Sequence, residues 1–212
     1  MNRRIALLTG GRSAEREVAL KSATNVEAAL RPQFEVDLFD LPSDLDRFFS
    51  MRGQYDCAIP VFHGKGGEDG TMQGFLETLG IPYVFSQVEA HAIGMDKAMT
   101  KTILAAQGIK TADWVVLKVG DAYGWQYPVV VKPLDQGSSV GVCLVHRQEE
   151  LQKALVMAFS YSDRVLVERL IEGKEFTVAV VDHAGKSLSL PVIEIRSKNA
   201  FFDFESKYDP AL

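Results

Sequence analysis

The sequence predicts an α/β protein in which a parallel sheet with helices on both faces precedes an α+β unit of antiparallel strands. Three observations carry this. Apolar runs of strand length alternate with helix-period segments through roughly the first 90 residues. After Ser86 the pattern changes to short strands broken by few helices. Glycine-dense loops fall where the predicted parallel strands end, which is where sheets of this kind bind their ligands.

Taken in order, Ile5 to Thr9 is an apolar run closed by Gly10-Gly11. Ala14 to Leu30 places Val18, Ala19, Val26, Ala29 and Leu30 at helical spacing, and Phe34 to Leu41 alternates with period two. Cys57 to Phe62 is a further apolar run, Thr71 to Leu79 a helix stopped by Gly80, and Pro82 to Phe85 a short strand. Met95 to Gly108 reads as one helix closed by glycine. Strands then follow at 114–118, 129–132, 142–145, 165–167, 176–181 and 188–195, with a single helix at 148–159. A domain boundary is expected between residues 86 and 95.

Composition narrows the classes of function. With 212 residues, 47% of them apolar and 24% charged, the chain can bury a real core. A net charge of −5 and a pI near 5.4 give no electrostatic footprint for nucleic acid, and no basic stripe is interleaved with aromatics. No apolar run approaches membrane-spanning length, so no membrane partner is expected. Cys57 and Cys143 each sit in an apolar strand pattern, where unpaired thiols are common, and a reducing, cytoplasmic compartment fits.

Three segments carry chemistry. Val129 to Val142 runs from an apolar strand through Lys132 into a loop holding Gly137, Ser138, Ser139 and Gly141. Glycines let backbone N–H groups approach phosphate oxygens, hydroxyls add donors and the lysine adds a point charge, so a flap over ATP phosphates is one reading. An ordinary hairpin with glycine turns is the other. Gly10 to Glu17 opens the first helix, whose free N–H groups favour an anion, but it lacks the Gly-x-Gly-x-x-Gly spacing of a dinucleotide site. Glu15 there fits either a ligand contact or simple complementation of the helix dipole. Phe62 to Phe75 carries five glycines with His63, Glu68 and Asp69. That density beside a parallel sheet points to function, although the spacing matches no zinc pattern.

Six segments occur in one order: Gly10-Gly-x-Ser-x-Glu-Arg-Glu-Val18, His63-Gly-x-Gly-Gly-Glu-Asp-Gly70, Met95-Asp-Lys97, Val131-Lys-Pro133 with Gly137-Ser-Ser-Val-Gly141, Glu175-Phe-Thr-Val178, and Phe202-Asp-Phe-Glu-Ser-Lys-Tyr208. Together they resemble the D-alanine:D-alanine ligase family of the ATP-grasp superfamily, from one end of the chain to the other. The resemblance implies a Rossmann-like pre-ATP-grasp domain over residues 1–94 that binds substrate. It implies an ATP-grasp central lobe over 95–170 and the start of the C-terminal lobe over 171–212. The activity implied is ATP-dependent joining of two D-alanines through an acylphosphate to give the dipeptide of peptidoglycan, with magnesium or manganese, in a cytoplasmic homodimer.

By the same resemblance Glu15 pairs with the ammonium of the first D-alanine, and Ser138 and Tyr208 form a hydrogen-bonded trio with it; these three are the expected catalytic residues. His63 is expected near the substrate carboxylate. Lys97 and Lys132 are expected at ATP phosphates under the loop of Gly137, Ser138, Ser139 and Gly141. Glu168 and the backbone of Arg169, Leu170 and Ile171 are expected to meet adenine, and Glu175 ribose. Lys207 with Tyr208 is the pair associated with a D-alanine acceptor rather than D-lactate.

Two departures from the family pattern stand out. Phe202 replaces a tyrosine common there, and the motifs expected to supply an oxyanion-stabilising arginine and the magnesium-binding carboxylates would lie beyond Leu212. No metal ligand is therefore assigned in this chain, which is expected to be inactive by itself. A nucleotide- and D-alanine-binding fragment without catalysis, or another ATP-grasp ligase such as a D-alanyl-D-lactate ligase or a biotin carboxylase relative, are the alternatives.

Overall fold

The computed structural model describes residues 3–124, 126–183 and 185–196. The chain forms two compact units, one of residues up to Thr111 together with Leu134–Gly137, the other of Ala112–Pro133 and the residues from Ser138 onward.

In the first unit β1 (Arg4–Gly10) is followed by α1 (Arg16–Leu30), β2 (Glu35–Leu41), α2 (Leu45–Met51) and β3 (Cys57–Pro60). The strands form a parallel sheet in the order β2-β1-β3. Alternate residues of β1 face opposite sides. Ile5 and Leu7 pack with Ala23 and Val36, beside Val26 and Leu30 of α1. Ala6 and Leu8 pack on the other side with Phe39, Phe48, Tyr55 and Leu76. Both faces are covered, which is why β1 reads as a continuous apolar run rather than an alternating one.

The Phe39 and Phe48 rings meet edge to face with centroids 5.3 Å apart, and full burial of one such ring contributes roughly 2–3 kcal/mol. Tyr55 closes this cluster with a polar tip, its hydroxyl donating to Asp37 at 3.0 Å.

Beyond β3 come α3 (Thr71–Thr78), α4 (Val88–Met95) and α5 (Lys97–Ala106). The helix expected over Met95–Gly108 is α5, starting two residues later, whereas α4 just before it was not expected. Asp96, extended at ψ 102°, turns its carboxylate to the Met99 N–H at 2.9 Å and caps α5, so the chain breaks there. The strand expected over residues 82–85 is reduced to one parallel bridge between Tyr83 and Ala58.

The second unit contains β4 (Trp114–Leu117), β5 (Val129–Pro133), β6 (Cys143–Val145), α6 (Gln148–Phe159) and β7 (Val165–Arg169). Its four strands are antiparallel in the order β4-β7-β5-β6. Val129, Val131, Val145, Val165 and Val167 form one buried face against Ala154 and Ala158 of α6. Residues offset by one, Val130, Lys132, Leu166 and Glu168, therefore occupy the opposite face. The remaining strands pair antiparallel: β8 (Glu175–Thr177) with β11 (Ile193–Ile195), and β9 (Val180–His183) with β10 (Lys186–Ser189). The two long strands expected here are each divided; Pro191, without an N–H, stands between β10 and β11.

Candidate functional site

At the carboxyl end of β1 the backbone passes through Gly10 and Gly11, both in the left-handed region, into the turn that starts α1. Glu15 occupies the position before α1 but makes no side-chain cap. Its carboxylate is turned into the protein instead, leaving the residue 1% exposed. Oε2 lies 2.3 Å from where a Cβ on Gly64 would be, so only glycine fits at 64. Oε1 is buried without a hydrogen-bond partner among the described residues. A buried carboxyl oxygen left without a partner is costly, and such groups in native folds call for a functional reason.

The loop after β3 brings His63 to the same end of the sheet. Its Nε2 is 3.2 Å from Ser22 Oγ on α1, and its Nδ1 is 3.9 Å from Glu68 Oε1. The Glu68 carboxylate raises the His63 pKa above the usual histidine value, with a smaller push from Glu15, against the opposing effect of burial. Burial would raise Glu68, but His63 and the Gly64 N–H, which donates to Oε2 at 2.7 Å, outweigh it and leave Glu68 below the ordinary carboxylate range. Asp69 likewise ends low despite burial, because it accepts from the N–H groups of Gly66 and Thr71 at 2.9 and 3.0 Å. The buried Gln73 donates to the Gly67 carbonyl at 3.2 Å. The glycine-dense loop is thus held mainly by its own side chains.

Gly137 belongs to this unit, and a Cβ there would lie 3.6 and 3.7 Å from the Glu15 oxygens and 3.7 Å from Glu68 Oε2. Lys97 Nζ donates to the carbonyls of Leu134 and Gln136 at 3.2 and 2.5 Å, so it grips the main chain just before Gly137. Of the predicted residues, the first unit gathers Glu15, His63 and Gly137; Lys97 holds the segment leading to Gly137.

In the second unit Lys132 of β5 and Glu168 of β7 form an ion pair on the sheet face away from α6. Both are mostly covered, with side chains 21% and 15% exposed. Arg169 ends β7, with Leu170 and Ile171 in the loop beyond and Glu175 exposed at the start of β8. Ser138 and Ser139 take left-handed φ values of 47° and 60°, unusual for serine, and the Val142 N–H donates to the Ser139 carbonyl at 3.2 Å. Gly141 is also left-handed, and a Cβ there would lie 2.8 and 2.9 Å from Tyr161 and Pro133. Lys207 and Tyr208 lie outside the described residues. Among the described residues no group of three or more His, Cys, Asp and Glu side chains is placed to hold a metal ion.

The sequence reading missed Ser13, Ser22 and the pair of Arg16 with Asp40. Ser13 Oγ accepts from the Glu15 N–H at 3.2 Å and donates to the His63 carbonyl at 2.6 Å. Arg16 donates twice to Asp40, at 2.8 and 2.6 Å. Ser13 and Arg16 lie inside the Gly10 to Val18 segment, but their partners are far along the chain, and nothing local marks them.

Two family matches cover most of the chain: "D-ala D-ala ligase N-terminus" over residues 45–86 and "D-ala D-ala ligase C-terminus" over residues 91–211. A D-alanine--D-alanine ligase of Geobacter sulfurreducens is 44% identical over 97% of this chain and 65% of its own length. One of Desulforudis audaxviator is 45% identical over 100% and 72% respectively. The chain therefore spans about two thirds of the length of these curated relatives. The crystal structure of D-alanine--D-alanine ligase from Bacillus anthracis is similar with a TM-score of 0.82 at 36% identity, covering 98% of this chain and 69% of that one. A structure of the same ligase complexed with ATP gives 0.79 at 35%, over 94% and 68%. Matches of this extent, on a parallel sheet and an antiparallel one with the glycine loops at their ends, show that the chain belongs to the D-alanine–D-alanine ligase family.

Proposed function

We propose that the chain carries the D-alanine- and nucleotide-binding parts of an ATP-dependent D-alanine ligase, a cytoplasmic homodimer whose product serves peptidoglycan synthesis. The observation that carries this is Glu15: a buried carboxylate with one oxygen unpartnered among the described residues, beside a histidine drawn towards its cationic form. An amino acid zwitterion answers both, its ammonium meeting Glu15 and its carboxylate meeting His63. In this reading residues 1–94 bind the amino acid, residues 95–170 form the central nucleotide lobe, and residues 171–212 begin the next lobe.

The reaction has two steps. A D-alanine carboxylate oxygen takes the γ-phosphoryl group of ATP, giving an acylphosphate and ADP. The amine of a second D-alanine then attacks the acyl carbon; the C–N bond forms, the C–O bond to phosphate breaks, and phosphate leaves as the amine loses a proton. Lys132 supplies positive charge for phosphates, and Ser138, Ser139 and Gly141 the donors of the covering loop. Gly137 lets the chain pass close to Glu15, and Lys97 supports that segment from below in addition to any phosphate contact. Glu168, with the backbone of Arg169, Leu170 and Ile171, reads adenine, and Glu175 reads ribose. Lys207 and Tyr208, with Ser138, serve the D-alanine end. The family resemblance implies magnesium as well, and the described residues form no cluster for it.

Calorimetric titration with D-alanine and a non-hydrolysable ATP analogue tests the reading. Glu15→Gln is expected to abolish D-alanine binding and keep analogue binding. D-alanine binding that survives Glu15→Gln sinks it.

A further inference from the structure

We infer that Ser13 is a positioning residue: its hydroxyl fastens the loop that carries Glu15 to the loop that carries His63, and so sets the separation of the two groups that meet a substrate zwitterion. This rests on the amino-acid reading above.

The two loops leave different strands, and the Ser13 contact to the His63 carbonyl spans 50 residues of sequence. One oxygen serves both sides, donating to the His63 carbonyl at 2.6 Å and accepting the Glu15 N–H at 3.2 Å. It acts on main-chain atoms of both residues and leaves their side chains to the ligand. The tie matters because Glu15 has a reason to leave. Its Oε1 is buried without a partner among the described residues, so an outward movement of the α1 start would rehydrate the carboxylate. Ser13 and the closely packed Gly64 oppose that movement. Gly64 also has its virtual Cβ 3.1 Å from Ser13 Cβ, which places serine, glutamate and the residue after His63 in one contact group.

The groups facing His63 are Glu68 from its own loop and Glu15 and Ser22 from α1 and its approach. Part of the upward pull on His63 comes from Glu15, so the His63 titration midpoint reports how closely the loops are held.

The experiment follows the His63 ring proton by NMR across pH in the 212-residue chain without ligand, and then measures D-alanine affinity. In Ser13→Ala the midpoint is expected to fall as Glu15 recedes. D-alanine binding is expected to weaken about fivefold, the effect of one lost hydrogen bond. Ser13→Cys, close in size but a poor donor, should behave alike and serves if alanine prevents folding. Phe48→Leu, which loosens the core without touching either loop, should leave the midpoint in place. A midpoint unchanged in both Ser13 variants overturns the inference, as does undiminished D-alanine affinity. A midpoint that falls in a protein that never binds D-alanine upholds the tie and removes the amino-acid reading instead.

Discussion

Arg16 holds Asp40 with two hydrogen bonds, at 2.8 and 2.6 Å, and the pair lies directly over Gly10. A Cβ at Gly10 would stand 2.2 Å from Asp40 Oδ1, 2.5 Å from the Leu41 carbonyl and 2.7 Å from Arg16 Nη1, at a φ of +98°. The carboxyl ends of β1 and β2 are thereby locked together where the turn to Glu15 begins. Gly10→Ala must distort that turn and break the pair, at a cost of about 3 kcal/mol. Urea unfolding should show the loss as a lower midpoint with an unchanged slope; an unshifted midpoint would contradict the packing described.

Lys132 and Glu168 make a comparable pair inside the second unit, more thoroughly covered. Removing one partner leaves the other charge poorly solvated, so Lys132→Ala should destabilise the protein by about 2 kcal/mol. Lys132→Ala with Glu168→Ala should cost less than the sum of the single changes, with a coupling of about 1 kcal/mol. Additive single effects in a double-mutant cycle would show that the two do not support one another. Because Lys132 is also the proposed phosphate contact, its loss should weaken nucleotide binding at least about tenfold, readable with an ATP analogue.

The His63–Glu68 pair predicts a pH window. His63 has a raised folded pKa, so its contribution is fully present below the ordinary value of 6.5 and is lost as pH rises through the folded value. Glu68 has a lowered folded pKa, so its contribution is present above the ordinary 4.5 and is lost as pH falls through the folded value. Both operate between those limits. The stability difference between the wild type and Glu68→Gln should therefore be greatest at about pH 5–6 and shrink on either side. Unfolding curves at a series of pH values check this; a difference that stays flat from pH 4 to 8 would remove the pair from the account.

How far the sequence could be read depended on the distance between interacting residues. α6 stands where its helical spacing put it, at Gln148–Phe159, because Leu151, Ala154, Leu155 and Ala158 declare one apolar face locally. β1 was equally plain as an apolar run that a parallel sheet buries on both sides, and β2 as an alternating segment. The helix expected from Met95 is α5, which starts at Lys97 because the Asp96 side chain caps it, and α4 before it went unread because Val88–Met95 has no one-sided apolar pattern and buries no residue. α2 went unread because Leu45, Phe48 and Phe49 make too short a pattern to stand out. Within the site, Glu15 and His63 were legible from motifs beside glycines. Ser13 and Asp40 were not, since their roles arise only when strand ends separated by many residues meet.

Ser138 and Ser139 separate fold from function most directly. Both sit at positive φ, where a side chain costs of order 1 kcal/mol or more and glycine costs little. Ser139→Gly should therefore leave stability unchanged or raise it by up to about 1 kcal/mol, since relief of strain offsets the greater freedom of the unfolded chain. The same change deletes a hydroxyl proposed to face a phosphate, so ATP-analogue affinity should fall about fivefold, the scale of one hydrogen bond. Thermal unfolding and calorimetric titration on one preparation read the two effects together. If Ser139→Gly instead lost stability and kept full affinity, the hydroxyl would be serving the fold, and the phosphate-covering role of the loop would have to rest on backbone N–H groups alone.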